Sequence, residues 1–182
     1  MEIIAILGSR NPEGRTATAT NALMKGFEDR GWEKKEVFLT HRQIERCRQC
    51  DDDGWGECRE GRCIIDDDFA SIVEEIRESD AVVFATPVYY SDLSESMRAF
   101  LDRLRRICRV NKDRVEGKPA FGISVAGGGG GGAPACSASL VGVMRRCGFD
   151  VLDVIPARRQ NLDLKLELLG ATGRWFADSL GS

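Results

Sequence analysis

With 182 residues, 42% of them hydrophobic and 30% charged, the chain is long enough for one domain with a sizeable core. A net charge of −3 and a pI near 5.4 argue against a nucleic-acid partner, and no apolar run approaches the length of a membrane span. Seven cysteines are an odd number, and Met1 is followed at once by an acidic residue and an apolar strand. A signal peptide is therefore not expected, the compartment read is the cytoplasm, and metal, redox or core roles for the cysteines are favoured over a disulfide framework.

The first predicted strand is Glu2 to Leu7, a continuous apolar run that suits a strand buried on both faces. A helix follows from about Thr16 to Arg30, with Leu23, Met24 and Phe27 at helical spacing and Gly31 as its stop. A second strand is expected near Glu36 to Leu39, then an irregular stretch from Thr40 to Asp68. Asp66, Asp67 and Asp68 supply an N-cap and favourable charge to a helix carrying Phe69, Ile72, Val73 and Ile76 on one face. Strand three is Ala81 to Thr86, ended by Pro87, and the next helix buries Leu93, Met97, Phe100, Leu101, Leu104 and Ile107. Strand four lies near Ala120 to Ala126, and six glycines follow, Gly127 to Gly132. A helix near Ala135 to Cys147 leads to strand five, Val151 to Ile155. The last helix places Leu162, Leu166, Leu169, Phe176 and Leu180 on one stripe, weakened by Gly170 and Gly173.

Strict β/α alternation with short apolar strands predicts an α/β fold: a doubly wound, five-stranded parallel sheet of order 2-1-3-4-5 with helices on both faces. The whole chain, 1–182, reads as one such domain with a cysteine-rich insertion at about 40–68. In this architecture ligands bind beyond the carboxyl ends of the strands, at the switch point between strands one and three. That puts three loops at the site.

The first loop joins a strand to a helix N-terminus, where free N–H groups and the helix dipole favour an anion. Ser9, Thr16 and Thr18 add hydroxyls, Arg10 and Arg15 add positive charge, and Gly14 permits a tight turn. This predicts phosphate binding. The nucleoside-triphosphate loop is excluded, because Gly8 and Gly14 are separated by five residues and Arg15 stands in place of its lysine. The second loop, T-P-V-Y-Y-S-D-L-S from Thr86 to Ser94, sets polar and aromatic residues at the exit of a buried strand. It suits a flat, partly polar ring. The third loop, beginning Gly127 and Gly128, is the most permissive backbone in the chain and suits close approach of the main chain to a ligand, or else a hinge.

Together these motifs resemble the flavodoxin-like flavoproteins, in particular the NADPH-dependent FMN reductases and iron–sulfur flavoproteins. Gly8, Ser9, Gly14 and Thr16 match the family's G-S-x-x-x-x-G-x-T loop, and Thr86–Ser94 is similar to its T-P-V-Y-x-x-x-x-S segment. The resemblance implies FMN as cofactor and NAD(P)H as electron donor. It also implies that Pro87, Val88, Tyr89, Tyr90 and Ser91 wrap the flavin ring, with Ser94 the serine opening the next helix. Gly127 and Gly128 would approach the pyrimidine end. One phosphate loop, with no second nucleotide motif, favours FMN over FAD. The family often forms dimers or tetramers, so a homodimer or homotetramer is expected.

The implied function is an oxidoreductase passing reducing equivalents from NAD(P)H through flavin to an acceptor. The alternative is a flavin electron carrier, iron–sulfur or not, that serves a redox partner protein and has no substrate of its own. No side chain is assigned as a catalytic acid or base, since the flavin performs the redox chemistry. His41, the only histidine, reads as a surface residue; Arg105, Arg106, Arg145 and Arg146 read as solvated helix faces. Arg158 and Arg159 follow strand five at the site end, where a contact to a nicotinamide phosphate is the alternative to solvation.

Cys47, Cys50, Cys58 and Cys63 are spaced C-x2-C-x7-C-x4-C in a turning loop rich in Asp and Gly. Three readings stay open: a 4Fe-4S cluster, a four-cysteine zinc site, and a metal-free thiol lid. Iron–sulfur flavoproteins resemble this chain in carrying a compact cysteine motif here, though theirs is tighter. Other flavodoxin-like relatives keep C-x2-C and then G-x-C before an Asp-Asp helix start. Gly61, Cys63, Asp66 and Asp67 match that ending.

Overall fold

In the computed structural model, which describes residues 1–110 and 115–181, five strands pair in parallel in the order β2-β1-β3-β4-β5. They are β1 (Glu2–Leu7), β2 (Glu33–Phe38), β3 (Ala81–Pro87), β4 (Pro119–Ala126) and β5 (Asp150–Arg158). The helices are α1 (Arg15–Glu28), α2 (Phe69–Glu78), α3 (Glu95–Cys108), α4 (Ala133–Cys147) and α5 (Leu162–Leu180). This is the flavodoxin-like order, and β1 and β3 are neighbours at the centre, where successive connections leave in opposite directions.

The central strands are apolar on both faces because both faces are covered. One side buries Ile4, Ile6, Val82 and Phe84 against α2, α3 and α4; the other buries Ile3, Ala5, Leu7 and Val83 against α1 and α5. Differences from the sequence reading fall at the edges. β2 begins at Glu33, three residues earlier than expected, because its first half, Glu33, Lys34 and Lys35, is an exposed edge that still pairs with Glu2, Ile3 and Ile4. Leu39 belongs to a short 3₁₀ turn, not to the strand. β5 is likewise longer than its apolar centre and holds Pro156, tolerated on an edge strand. α4 starts at Ala133, with Pro134 in its first turn, where the missing N–H costs nothing.

Gly26, Gly170 and Gly173 are where α1 and α5 touch. A Cβ on Gly173 would lie 2.2 Å from the carbonyl oxygen of Leu23, and one on Gly26 would lie 2.5 Å from that of Gly170. The glycines that lower the helix propensity of α5 are therefore its contact surface with α1.

Candidate functional site

Three loops meet at the carboxyl ends of β1, β3 and β4. The first leaves β1 through Gly8, whose N–H donates to the Ala85 carbonyl of β3 at 2.8 Å. A Cβ on Gly8 would stand 2.4 Å from the Ser94 hydroxyl, so only glycine fits. The loop is braced from the β2 side, where the Thr40 hydroxyl donates to the Ser9 carbonyl at 3.2 Å and His41 Nε2 lies 3.0 Å from the Arg10 carbonyl. Asn11 closes the turn, accepting the Gly14 N–H on its carbonyl and the Glu13 N–H on its side chain.

The helix start is left open. Gly14 sits at the N-cap of α1 with extended backbone, no side chain caps the helix, and no acidic residue stands in its first turn. The hydroxyls of Ser9 and Thr16 line this opening, nearly buried and without a hydrogen-bond partner among the described residues. Arg10 and Arg15 are exposed at its rim, without an ion pair among the described residues. Thr18 departs from expectation: its hydroxyl donates back to the Gly14 carbonyl at 3.1 Å. Uncapped N–H groups, two idle hydroxyls and two guanidiniums fit a phosphate group.

Ser94 is buried beneath this opening rather than in it. It caps α3, its hydroxyl donates to the Gly8 carbonyl at 3.0 Å, and its N–H donates to the Thr86 hydroxyl at 3.0 Å. It ties the first loop to the second. Beyond Pro87 and Val88, Tyr89 and Asp92 bridge each other across a tight turn whose central residues, Tyr90 (φ 49°) and Ser91 (φ 67°), are both left-handed. Two successive non-glycine residues in that region store strain, of a kind that collects at ligand clamps. Tyr90 is wholly exposed and Tyr89 half so. Arg98 clamps the turn through Asp92 at 2.5 Å.

In the third loop, Gly130 and Gly132 are required by the fold. Gly130 is left-handed against the Arg158 stem, and a Cβ on Gly132 would strike Ser91. Cβ atoms on Gly127, Gly128, Gly129 and Gly131 would meet nothing within 4 Å. Gly127, Gly128 and Gly129 are exposed, so the backbone there faces an open cradle beside the tyrosine turn. Gln160 steadies it by donating to the Gly128 carbonyl at 2.9 Å.

The cysteine segment lies along α3. Cys47, Cys50, Cys58 and Cys63 are half-buried thiols bordering one narrow hollow, whose enclosed space of about 10 Å³ admits one water. Sequence reasoning overlooked its main anchor. Arg103 is 1% exposed; its Nη1 donates to Asp67 at 2.6 Å and to the Glu45 carbonyl at 3.0 Å. Its Nη2 donates to Asp67 at 2.9 Å and reaches Cys63 Sγ at 3.4 Å, and the guanidinium stacks on Phe69. Burial opposes both charges, but the pairing prevails: Asp67 is held below the usual carboxylate range by Arg103 and by the N–H groups of Glu45 and Phe69. The aspartates thus act otherwise than as plain caps, and Asp68 at the N-cap position accepts the Gln43 N–H instead. The signal was present, since Arg103 falls between Phe100, Leu104 and Ile107 on the inward face of α3. Arg106 is also more than a solvated residue: it packs over Trp55 at 4.5 Å, and burial pushes the Cys58 thiol up while the nearby Arg106 charge pulls it partly back.

Among the described residues no three Cys, His, Asp or Glu gather about one point to hold a single metal ion. A zinc site needs four ligands on one ion and does not fit. An iron–sulfur cluster takes one thiolate on each of several irons and spreads its ligands around a larger body. Four thiols match that donor set in kind, but the space between them admits only about one water, so the segment would have to open to take a cluster. The Nε groups of Arg103 and Arg106 are buried without a hydrogen-bond partner among the described residues.

Residues 1–154 match the family described as NADPH-dependent FMN reductase. The chain belongs to that family. Within it, this FMN reductase-family chain is 33% identical over 105 residues to an iron-sulfur flavoprotein of Archaeoglobus fulgidus, covering 57% of this chain and 46% of that protein. It is 30% identical over 131 residues to an iron-sulfur flavoprotein of Methanocaldococcus jannaschii, covering 70% of this chain and 65% of the relative. The chain thus spans less than two thirds of each. Among solved structures, a flavone reductase superposes with a TM-score of 0.74 at 18% identity, over 100% of this chain and 64% of the other. The NAD(P)H:quinone oxidoreductase from Methanothermobacter marburgensis gives 0.72 at 17% identity, over 97% and 96%. At those identities the likeness is one of fold. Among the described residues no helix is long and apolar enough to cross a membrane.

Proposed function

We propose that this chain is an FMN-binding oxidoreductase that takes reducing equivalents from NAD(P)H and passes them to an acceptor. One observation carries the reading: an uncapped helix start with two idle hydroxyls and two exposed arginines lies at the same end of the sheet as a strained tyrosine turn and an open glycine cradle. Bound FMN would supply the hydride and electron chemistry. The N–H groups at the start of α1, the Ser9 and Thr16 hydroxyls, and Arg10 and Arg15 hold the phosphate. Pro87, Val88, Tyr89, Tyr90 and Ser91 wall the ring and exclude water, and Gly127 and Gly128 leave room for its polar edge. Ser94 acts from beneath by fixing the two loops to each other. Flavin released by heat should run as FMN on chromatography; stoichiometric FAD, or no flavin after reconstitution, overturns the reading.

Cys47, Cys50, Cys58 and Cys63 are proposed to hold an iron–sulfur cluster, the segment opening to take it; their place around one hollow and the family relatives named as iron-sulfur flavoproteins support this. The helix linking hollow and phosphate loop runs from Ser94 to Arg103, roughly 14 Å along its axis. With a cluster there, the molecule serves a redox partner protein; with thiols alone, it is a flavin reductase with a cysteine lid. Iron and acid-labile sulfide measured after anaerobic reconstitution decide between them. The assembly is proposed to be a homodimer or homotetramer, which exposed Leu164, Leu168 and Trp175 on one side of α5 would favour.

A further inference from the structure

We propose that the outer face of α5 is the surface on which a second copy of this chain docks, α5 packing antiparallel against α5 of the partner. The inference rests on the homo-oligomer reading above, and names its surface, its orientation and the charges that set it. Leu164, Leu168, Ala171 and Trp175 fall at i, i+4, i+7 and i+11, the spacing of a coiled-coil seam. All four are exposed, Leu164 to 58% and Trp175 to 64%. The face that packs on α1 and the sheet carries Leu169, Gly173 and Ala177, roughly half a turn away around the helix. α5 is thus apolar on two opposite faces, the pattern of a helix covered on both. Among the described residues only one of the two is covered.

The charges beside the seam decide what covers it. Glu167 and Arg174 flank it on the same side, two turns apart. A two-fold axis between Leu168 and Ala171 sets Leu168 against the partner's Ala171 and Leu164 against the partner's Trp175, so that a large side chain faces a small one at the centre. The same register brings Glu167 opposite the partner's Arg174 and, by symmetry, Arg174 opposite the partner's Glu167. Both charges are available for it. Glu167 is exposed and has no ion pair among the described residues, and Arg174 stands 3.7 Å from Asp29, which Lys25 already holds at 2.9 Å. Parallel packing would stack indole on indole, leave alanine facing alanine, and set Glu167 against the uncharged Thr172 of the partner. The face is therefore complementary to itself in one orientation. A seam of this length, roughly 16 Å, makes a small interface, and the contact should be of micromolar rather than nanomolar strength.

The test is sedimentation equilibrium of the full chain, incubated with FMN, across micromolar concentrations, with circular dichroism as the control for folding. Leu168→Glu puts a charge into the seam twice per contact and should halve the assembly, a dimer becoming monomers or a tetramer dimers. Glu167→Arg and Arg174→Glu each oppose like charges twice per contact, so each should weaken association by about tenfold. Combined in one chain, the two reversals restore the pairing, and association should return to near its wild-type strength. Where Leu168→Glu fails the folding control, the charge pair decides. An assembly that Leu168→Glu leaves intact overturns this inference and leaves the homo-oligomer reading standing. Single reversals without effect, or a double variant as weak as either, overturn the antiparallel register. A wild-type chain that stays monomeric throughout overturns both readings.

Discussion

Ser9 and Thr16 carry hydroxyls that bond to nothing among the described residues, at the mouth of a helix that no side chain caps. That combination explains them only if an acceptor arrives from outside. Replacing both with alanine removes two hydrogen bonds to a charged group, each worth about 1.5–3 kcal/mol. Titration by flavin fluorescence should show FMN affinity falling by at least tenfold while riboflavin affinity barely moves. An equal loss for both flavins would show that the loop acts through folding alone. Arg103 and Asp67 make a different kind of pair, 1% and 4% exposed, bonded through both ends of the fork. Asp67→Ala strands a buried guanidinium and should destabilise the fold by about 3–5 kcal/mol in urea. Because the Asp67 carboxyl is held below its ordinary range, its contribution is complete above about pH 4 and is lost as the pH falls through its folded-state value. Acid should therefore loosen the wild-type cysteine segment and leave that of the alanine variant unchanged, which hydrogen exchange in residues 43–67 would record.

At the scale of elements, the chain was most legible where periodicity and burial agree. The runs of β1, β3 and β4 announced themselves because both faces are covered, and α3 because its stripe is continuous. Charged Glu33, Lys34 and Lys35 hid the start of β2, since an edge strand is specified by backbone pairing rather than by side-chain pattern. Gly170 and Gly173 looked like flaws in α5 for a similar reason: the purpose of a small residue lies in the helix it approaches. Gly173→Ala should gain up to about 1 kcal/mol of helix propensity. It also places a Cβ against the Leu23 carbonyl, a backbone atom that cannot swing aside. Overpacking of that sort costs about 1–3 kcal/mol, so the variant should unfold at lower denaturant concentration than wild type. A raised midpoint would refute the close-contact account.

Across the whole molecule, the candidate site is the meeting of three connections at one end of the sheet, and their places in the strand order were readable because β/α alternation leaves few topologies. The details that give the site its character were not readable. The left-handed turn at Tyr90 and Ser91 carries no glycine to mark it, and the burial of Ser94 depends on Gly8, far away in sequence. Nor could spacing alone reveal that Cys47, Cys50, Cys58 and Cys63 share a hollow with two arginines of α3. The family match and the open start of α1 support the proposal that electrons from a nicotinamide enter this chain through FMN. Its most direct test is the visible absorption of the FMN-reconstituted protein under anaerobic conditions as NADPH, and separately NADH, is added. The account predicts that one or both bleach the flavin bands stoichiometrically and that air restores them. Flavin that stays oxidised with excess of both nucleotides, or that never binds, would contradict it.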